Sequence, residues 1–205
     1  MIEIPNQRID LKHKNTEKSF KLLCVCLLFA SGLALSQTDK LGLNNEIKSL
    51  LKFAASGDLK SVQQTLASGL DINAKDPVFH ATALHNASSQ GHVHVVDWLI
   101  EKGALIEVPD QMGSTPLIWA AYAGQLHTVQ SLIQADANLN HLPLQGSTAL
   151  VSAVQSGQID VVETLLENGA KKTIESSDGM TAIEAAKLTN NPAILKLLMH
   201  SGDES

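Results

Sequence analysis

Thr115-Pro116-Leu117-Ile118-Trp119-Ala120-Ala121-Tyr122-Ala123-Gly124 returns three more times along this chain in altered form. Thr82-Ala83-Leu84-His85 precedes it, and Thr148-Ala149-Leu150-Val151 follows it at the same interval. Thr181-Ala182-Ile183-Glu184 comes one further equal step along. Self-similarity at a fixed period in this range marks stacked units, each burying its apolar face only against its neighbours.

The residue types in each unit have physical reasons. Thr before a helix caps the first free N–H groups, and Pro116 at the first helical position lacks an N–H that would be orphaned anyway. Small Ala120 and Ala121 let paired helices approach closely. Gly91, Gly124 and Gly157 supply the left-handed conformation that ends the first helix. A second helical run follows, such as Val95-Val96-Asp97-Trp98-Leu99-Ile100, and Gly103 stops it. The chain then returns through a short extended turn, of which Asp110-Gln111-Met112-Gly113-Ser114 is the best example.

The first unit, about 44–76, lacks the Thr start and has Lys48 in its place. Lys48, Ser49 and Lys52 suit a polar outer cap. The second unit opens with Asp76-Pro77-Val78-Phe79-His80-Ala81, one residue longer than its counterparts. Asp136 and Asn190 occupy glycine columns, and both types tolerate the left-handed region better than other non-glycine residues. Asn190-Asn191-Pro192 reads as helix stop, cap and first helical residue, with a closing helix over 193–200. Lys187, Lys196 and His200 give that end polar character.

Thr115-Pro116-Leu117, then Ala120-Ala121, then Gly124, then a Val-x-x-Leu-Ile helix, resembles the ankyrin repeat. His85, the Gly91-His92 pair and Gly169-Ala170 match further positions of that family. The resemblance covers about residues 44–202 and implies an all-α solenoid of helix-turn-helix units with short β-turn loops. The units fall at about 44–76, 77–110, 111–143, 144–176 and 177–202.

Composition agrees with thin helical layers. The 205 residues are 44% hydrophobic but only 3% aromatic, so the apolar content is Leu, Ala, Val and Ile rather than the large rings of a single globular core. The formal charge of −6 argues against a nucleic-acid partner, which needs clustered Lys and Arg. The only arginine is Arg8.

Residues 1–36 read as a secretory signal peptide. Lys12, Lys14, Lys18 and Lys21 precede an uncharged run over 22–35, and Ala34-Leu35-Ser36 places small residues at cleavage spacing. The run is shorter than the 18 or more residues of a spanning helix, and the rival reading is an uncleaved anchor to the inner membrane. Cys24 and Cys26 lie inside the run. One intervening residue makes their disulfide awkward, and they read as soft apolar residues. Cleavage would leave a cysteine-free chain, a short linker over 37–43 and the repeat domain over 44–205.

Nothing in the sequence reads as catalytic machinery, and no cofactor or metal is expected. It has no phosphate-binding glycine loop and no nucleophile elbow. His92 and His94 form an H-x-H pair, with His80, His85 and His127 in the same or the next unit, but His85 and His92 occupy family positions where histidine ties loops to helix starts. Glu163 and Glu167 are an i,i+4 pair on a solvated helix face. Trp98 is expected between layers; Trp119 suits either the core or a groove edge.

In ankyrin arrays the usual contact surface is the loop tips together with the exposed side of the first helices. Carried over position by position, this nominates Phe79, Gln111, Met112, Leu144 and Met180 on the tips, and Ser89, Tyr122 and Gln155 near the first-helix ends. Aromatic and Met content with little charge is the composition of an interface core. The resemblance and the leader together imply a monomeric, non-catalytic protein-binding scaffold exported from a bacterial cytoplasm to the periplasm. The alternative is a periplasmic inhibitor, stabiliser or protective accessory factor of an enzyme.

Overall fold

The computed structural model describes residues 45–200. The leader, the linker, Asn44 and Gly202 lie outside the described residues. Among those residues, ten helices form five pairs. The pairs are α1 (Asn45–Ser56) with α2 (Leu59–Ala67), α3 (Ala83–Gln90) with α4 (Val93–Glu101), α5 (Pro116–Ala123) with α6 (Leu126–Gln134), α7 (Ala149–Gln155) with α8 (Ile159–Glu167), and α9 (Ala182–Leu188) with α10 (Pro192–His200). The first helices pack in series from α1 to α9, and α4, α6, α8 and α10 pack in series behind them. Two layers result, each helix touching its own partner and, α2 apart, its neighbours along the stack.

The constant step between units explains the core. Leu50, Leu84, Leu117 and Leu150 stand at the same position of successive units and are buried; so are Leu99, Leu132, Leu165 and Leu198. Each such leucine contributes about 1.5–3 kcal/mol relative to exposure. Ile183 continues the first series but is only half-buried, because no sixth unit covers it among the described residues. The C-terminal end is less polar than its lysines suggest, with Leu188 at 65% and Met199 at 68% exposure.

Thr82, Thr115, Thr148 and Thr181 all stand at N-caps. They do not all cap by the same bond. Thr148 accepts from Val151 N–H, and Thr181 exchanges bonds with Glu184. Thr115 is buried with its hydroxyl unpartnered, so the cap expected there is not made. Asp136 and Asn190 adopt φ of 63° and 50°, the left-handed conformation expected of their columns.

Two hydrogen-bond ladders hold the units in register. At the helix starts, His92 Nε2 donates to the Ala55 carbonyl at 3.0 Å, and Gln125 Nε2 donates to the Ser89 carbonyl at 3.1 Å. Glycine at position 91 serves two ends: its φ is +73°, and a Cβ there would push the Gln125 side chain out of its place. In the return loops, Leu105 N–H donates to Asn73, Asn138 N–H to Glu107 and Lys171 N–H to Asn140, all within 2.8–2.9 Å.

Candidate protein-binding face

Four turns project between helix pairs: tip 1 at 76–81, tip 2 at 110–115, tip 3 at 143–148 and tip 4 at 176–181. A short side chain that accepts its own turn's N–H groups shapes a tip without a strand. Asp76 does this in tip 1, accepting from Val78, Phe79 and Ala81. Asp110 does it in tip 2, accepting from Met112 and Ser114. In tip 4, Ser176 Oγ lies within hydrogen-bond distance of Asp178 and of the Met180 carbonyl, which share its single proton.

The tips are also bonded to one another. Gln111 N–H donates to the Phe79 carbonyl at 2.7 Å, Gln145 N–H to Met112 at 3.4 Å and Ser177 N–H to Gly146 at 2.9 Å. This third ladder joins the four projections into one continuous edge. A partner meets a preformed surface, so less ordering entropy is lost on binding.

Buried groups beneath tip 2 fix its position. Trp119 Nε1 donates to Asp110 Oδ2 at 2.9 Å, and the Trp119 ring meets His85 edge-on at 5.2 Å. His85 Nε2 lies 3.1 Å from the Ser114 carbonyl. A carbonyl only accepts, so Nε2 carries the proton, and Nδ1 accepts from the Thr82 N–H and hydroxyl. Burial pushes the His85 pKa down to about 4. Burial likewise raises the Asp110 carboxyl above its ordinary value, although the Trp119 indole and the tip N–H groups oppose the shift.

The nominated residues do not all reach the surface. Leu144 is 93% exposed and Gln111 is exposed; Phe79, Met112, Tyr122, Gln155 and Met180 are half-buried. Ser89 is a correction. It is buried, its hydroxyl donates to the Asn86 carbonyl, and its own carbonyl receives Gln125, so it offers no contact. Trp119 belongs to the core at 7% exposure. Trp98 is half-buried, with the Lys102 ammonium 5.9 Å from its ring centre. His92 and His94 each direct Nε2 at a carbonyl of the first unit, Ala55 and Gly57, rather than at each other.

The face is low in charge. Helices α3, α5 and α7 contain no Lys, Arg, Asp or Glu, and the carboxylates of tips 1 and 2 are buried. Acidic side chains gather instead on α4 and α8, as Asp97, Glu101, Asp160, Glu163 and Glu167. Sequence reasoning placed His80 on a loop tip with Val78 and Phe79 but missed its backbone conformation. It has φ of +55° in the column of Gly113, Gly146 and Gly179, all left-handed glycines. Extending that glycine column one unit toward the N-terminus would have found it.

Stacked helix pairs with laddered, weakly charged tips define a helical-repeat protein. The chain belongs to the ankyrin repeat family: the family model described as ankyrin repeats (3 copies) matches it over residues 50–142, 97–176 and 121–205. That family acts chiefly through protein–protein interaction. Serine/threonine-protein kinase 12 of Arabidopsis thaliana is 36% identical over 73 residues, which is 36% of this chain and 16% of the kinase. Ankyrin repeat domain-containing protein 40 of Mus musculus is 37% identical over 68 residues, 33% of this chain and 19% of that protein. The 2-5A-dependent ribonuclease of Mus musculus is 40% identical over 72 residues, 35% of this chain and 10% of the ribonuclease. The aligned region is thus less than a fifth of each of these relatives.

Proposed function

We propose that this chain is a non-catalytic protein-binding module whose contact face runs over tips 1–4 and the ends of α5 and α7. The observation that carries this reading is the tip ladder. It fixes Phe79, Gln111, Met112 and Leu144 on one edge, next to a stretch of first helices without charge. Asp76, Asp110 and Ser176 are engaged within their own turns, which shapes the tips for recognition. Met112→Ser with Tyr122→Ser should weaken binding of a captured partner by at least about tenfold while the helical circular dichroism is unchanged. Unchanged binding would remove these residues from the interface. A captured enzyme whose turnover changes on binding would make the chain an inhibitor or stabiliser.

The same reading includes export. Residues 1–36 act as a cleaved signal peptide that delivers the repeat domain to the periplasm, supported by the lysines ahead of the uncharged run and the small residues at its end. Fractionation and N-terminal sequencing test it. A mature chain beginning near Gln37 is the expected result, and an intact N-terminus in the membrane fraction would favour an anchor.

A further inference from the structure

Tip 3 is built differently from its neighbours. Where tips 1 and 2 have Asp76 and Asp110, and tip 4 has Ser176, tip 3 has Pro143, which is buried and offers no side-chain acceptor. Its support comes from outside. His141 Nε2 donates to the Gly113 carbonyl at 2.8 Å, and Gln145 N–H donates to Met112. On the other side, Ser177 N–H donates to the Gly146 carbonyl and Gly146 N–H donates to Ser177 Oγ at 2.8 Å. Tip 2 lies so close that a Cβ on Gly113 would come 3.1 Å from Leu144 N. The backbone around Leu144 is therefore held from both neighbouring tips, while its side chain is 93% exposed and Leu142 beside it is 45% exposed.

We propose that Leu144 is the anchor of the binding face, a fixed apolar knob that enters an uncharged apolar pocket on a folded partner protein. This rests on the tip-face reading and states what the partner must present. A convex side chain on a rigid support is buried by a concave acceptor, whereas an extended peptide would leave it mostly wet. Complementarity of potential selects the neutral pocket. Gln111, Met112, Gln145, Ser147 and Ser177 around the knob are uncharged, and the carboxylate nearest them in tip 4, Asp178, is half-buried and accepts from Ser176 and Met180, whereas acidic side chains gather on α4 and α8. A basic partner would be drawn to those helices. An anionic lipid surface is disfavoured, because no Lys or Arg lies on tips 1–4 to meet the headgroups.

The test uses the full chain in two stages. A benzophenone amino acid is placed at position 144, at 79 and 111 on the same face, and at 130 on α6 as a control. A partner cross-linked from 144 and not from 130 is then purified. Its affinity is measured by calorimetry for the unmodified chain and for Leu144→Ser, Leu144→Glu and Leu144→Met. Expected is a loss of at least about tenfold for Leu144→Ser, more for Leu144→Glu and less than about threefold for Leu144→Met. The dissociation constant should change by less than about threefold between about 50 and 500 mM salt. Adducts at 79 and 111 with Leu144→Ser binding within about twofold of the unmodified chain would overturn the anchor and leave the tip face standing. Adducts at none of these tip positions would overturn both. A 144 adduct with a second copy of this chain, or co-flotation with phosphatidylglycerol vesicles abolished by Leu144→Glu, would overturn the proposed occupant.

Discussion

The indole N–H of Trp119 donates to Asp110 Oδ2 at 2.9 Å, tying the first residue of tip 2 to the middle of α5. Asn86, Ser152 and Ala185 stand at the same position in the other units, so the bond is particular to this tip. The carboxylate is buried, and removing one of its donors leaves part of its desolvation uncompensated. Trp119→Phe keeps most of the ring and loses the donor. It should destabilise by about 1–3 kcal/mol. A double-mutant cycle with Asp110→Asn should give a coupling of at least about 1 kcal/mol in urea denaturation. Additive effects would mean that the indole matters only as a space-filler.

Acid should weaken the fold through His85. Its folded pKa of about 4 lies below the ordinary 6.5, first because it is buried; the Ser114 carbonyl opposes the shift and Lys75 adds to it. A depressed histidine means that the unfolded chain takes up a proton which the folded chain refuses. This contribution is therefore fully present above pH 6.5 and is lost as pH falls toward 4. Between about pH 7 and 5 the loss amounts to about 2 kcal/mol. Asp110 works the other way at the acid end, because its raised carboxyl protonates in the folded chain first. Urea midpoints should fall over this range, and His85→Asn should flatten the profile. An equal slope in that variant would assign the acid sensitivity to other groups.

Thr128 stands where Val95, Val161 and Ile194 stand in other units, fully buried, with its hydroxyl unpartnered. Thr128→Val replaces the hydroxyl with a methyl group of similar shape and removes an unsatisfied donor. It should stabilise by about 1–2 kcal/mol, read as a higher Tm with unchanged helix content. A lower Tm would show that the hydroxyl is satisfied in solution.

The scaffold was legible because its causes are local and recur in every full unit: a threonine at the cap, an alanine at the position of Ala120 and a helix-ending glycine or its substitute. Thr148 and Thr181 cap as expected, and Asp136 and Asn190 take the left-handed conformation. The face was less legible. Ser89 and Tyr122 stand at the same position of successive units, yet Ser89 is buried and Tyr122 only half-buried. The difference depends on how neighbouring side chains cover each position, which spacing does not encode. The Trp119–Asp110 bond needs two unit-specific residues to coincide, and periodicity averages such pairs away. At tip 3, Pro143 in the aspartate position was a readable departure, but only the neighbouring tips reveal what replaces the missing acceptor.

His80 and Asp136 both hold left-handed backbones at columns otherwise occupied by glycine, with φ of 55° and 63°. The physical cost is the same, a Cβ crowding the following carbonyl, but the settings differ. Asp136 follows α6 at the return-loop side, where shape alone matters, and Asp136→Gly should stabilise by about 0.5–1 kcal/mol. His80 lies on tip 1 beside Phe79, whose carbonyl receives Gln111. His80→Gly should stabilise by a similar amount, about 0.5–1 kcal/mol, because Gly adopts this conformation freely. Strain retained at a binding edge implies that the side chain has a use there. The expected outcome is therefore opposite in sign for the two readouts: His80→Gly raises the melting temperature and weakens the partner, whereas Asp136→Gly raises it and leaves binding unchanged. Equal binding by both variants, measured on the partner cross-linked at the tip face, would reduce His80 to a tolerated departure from glycine.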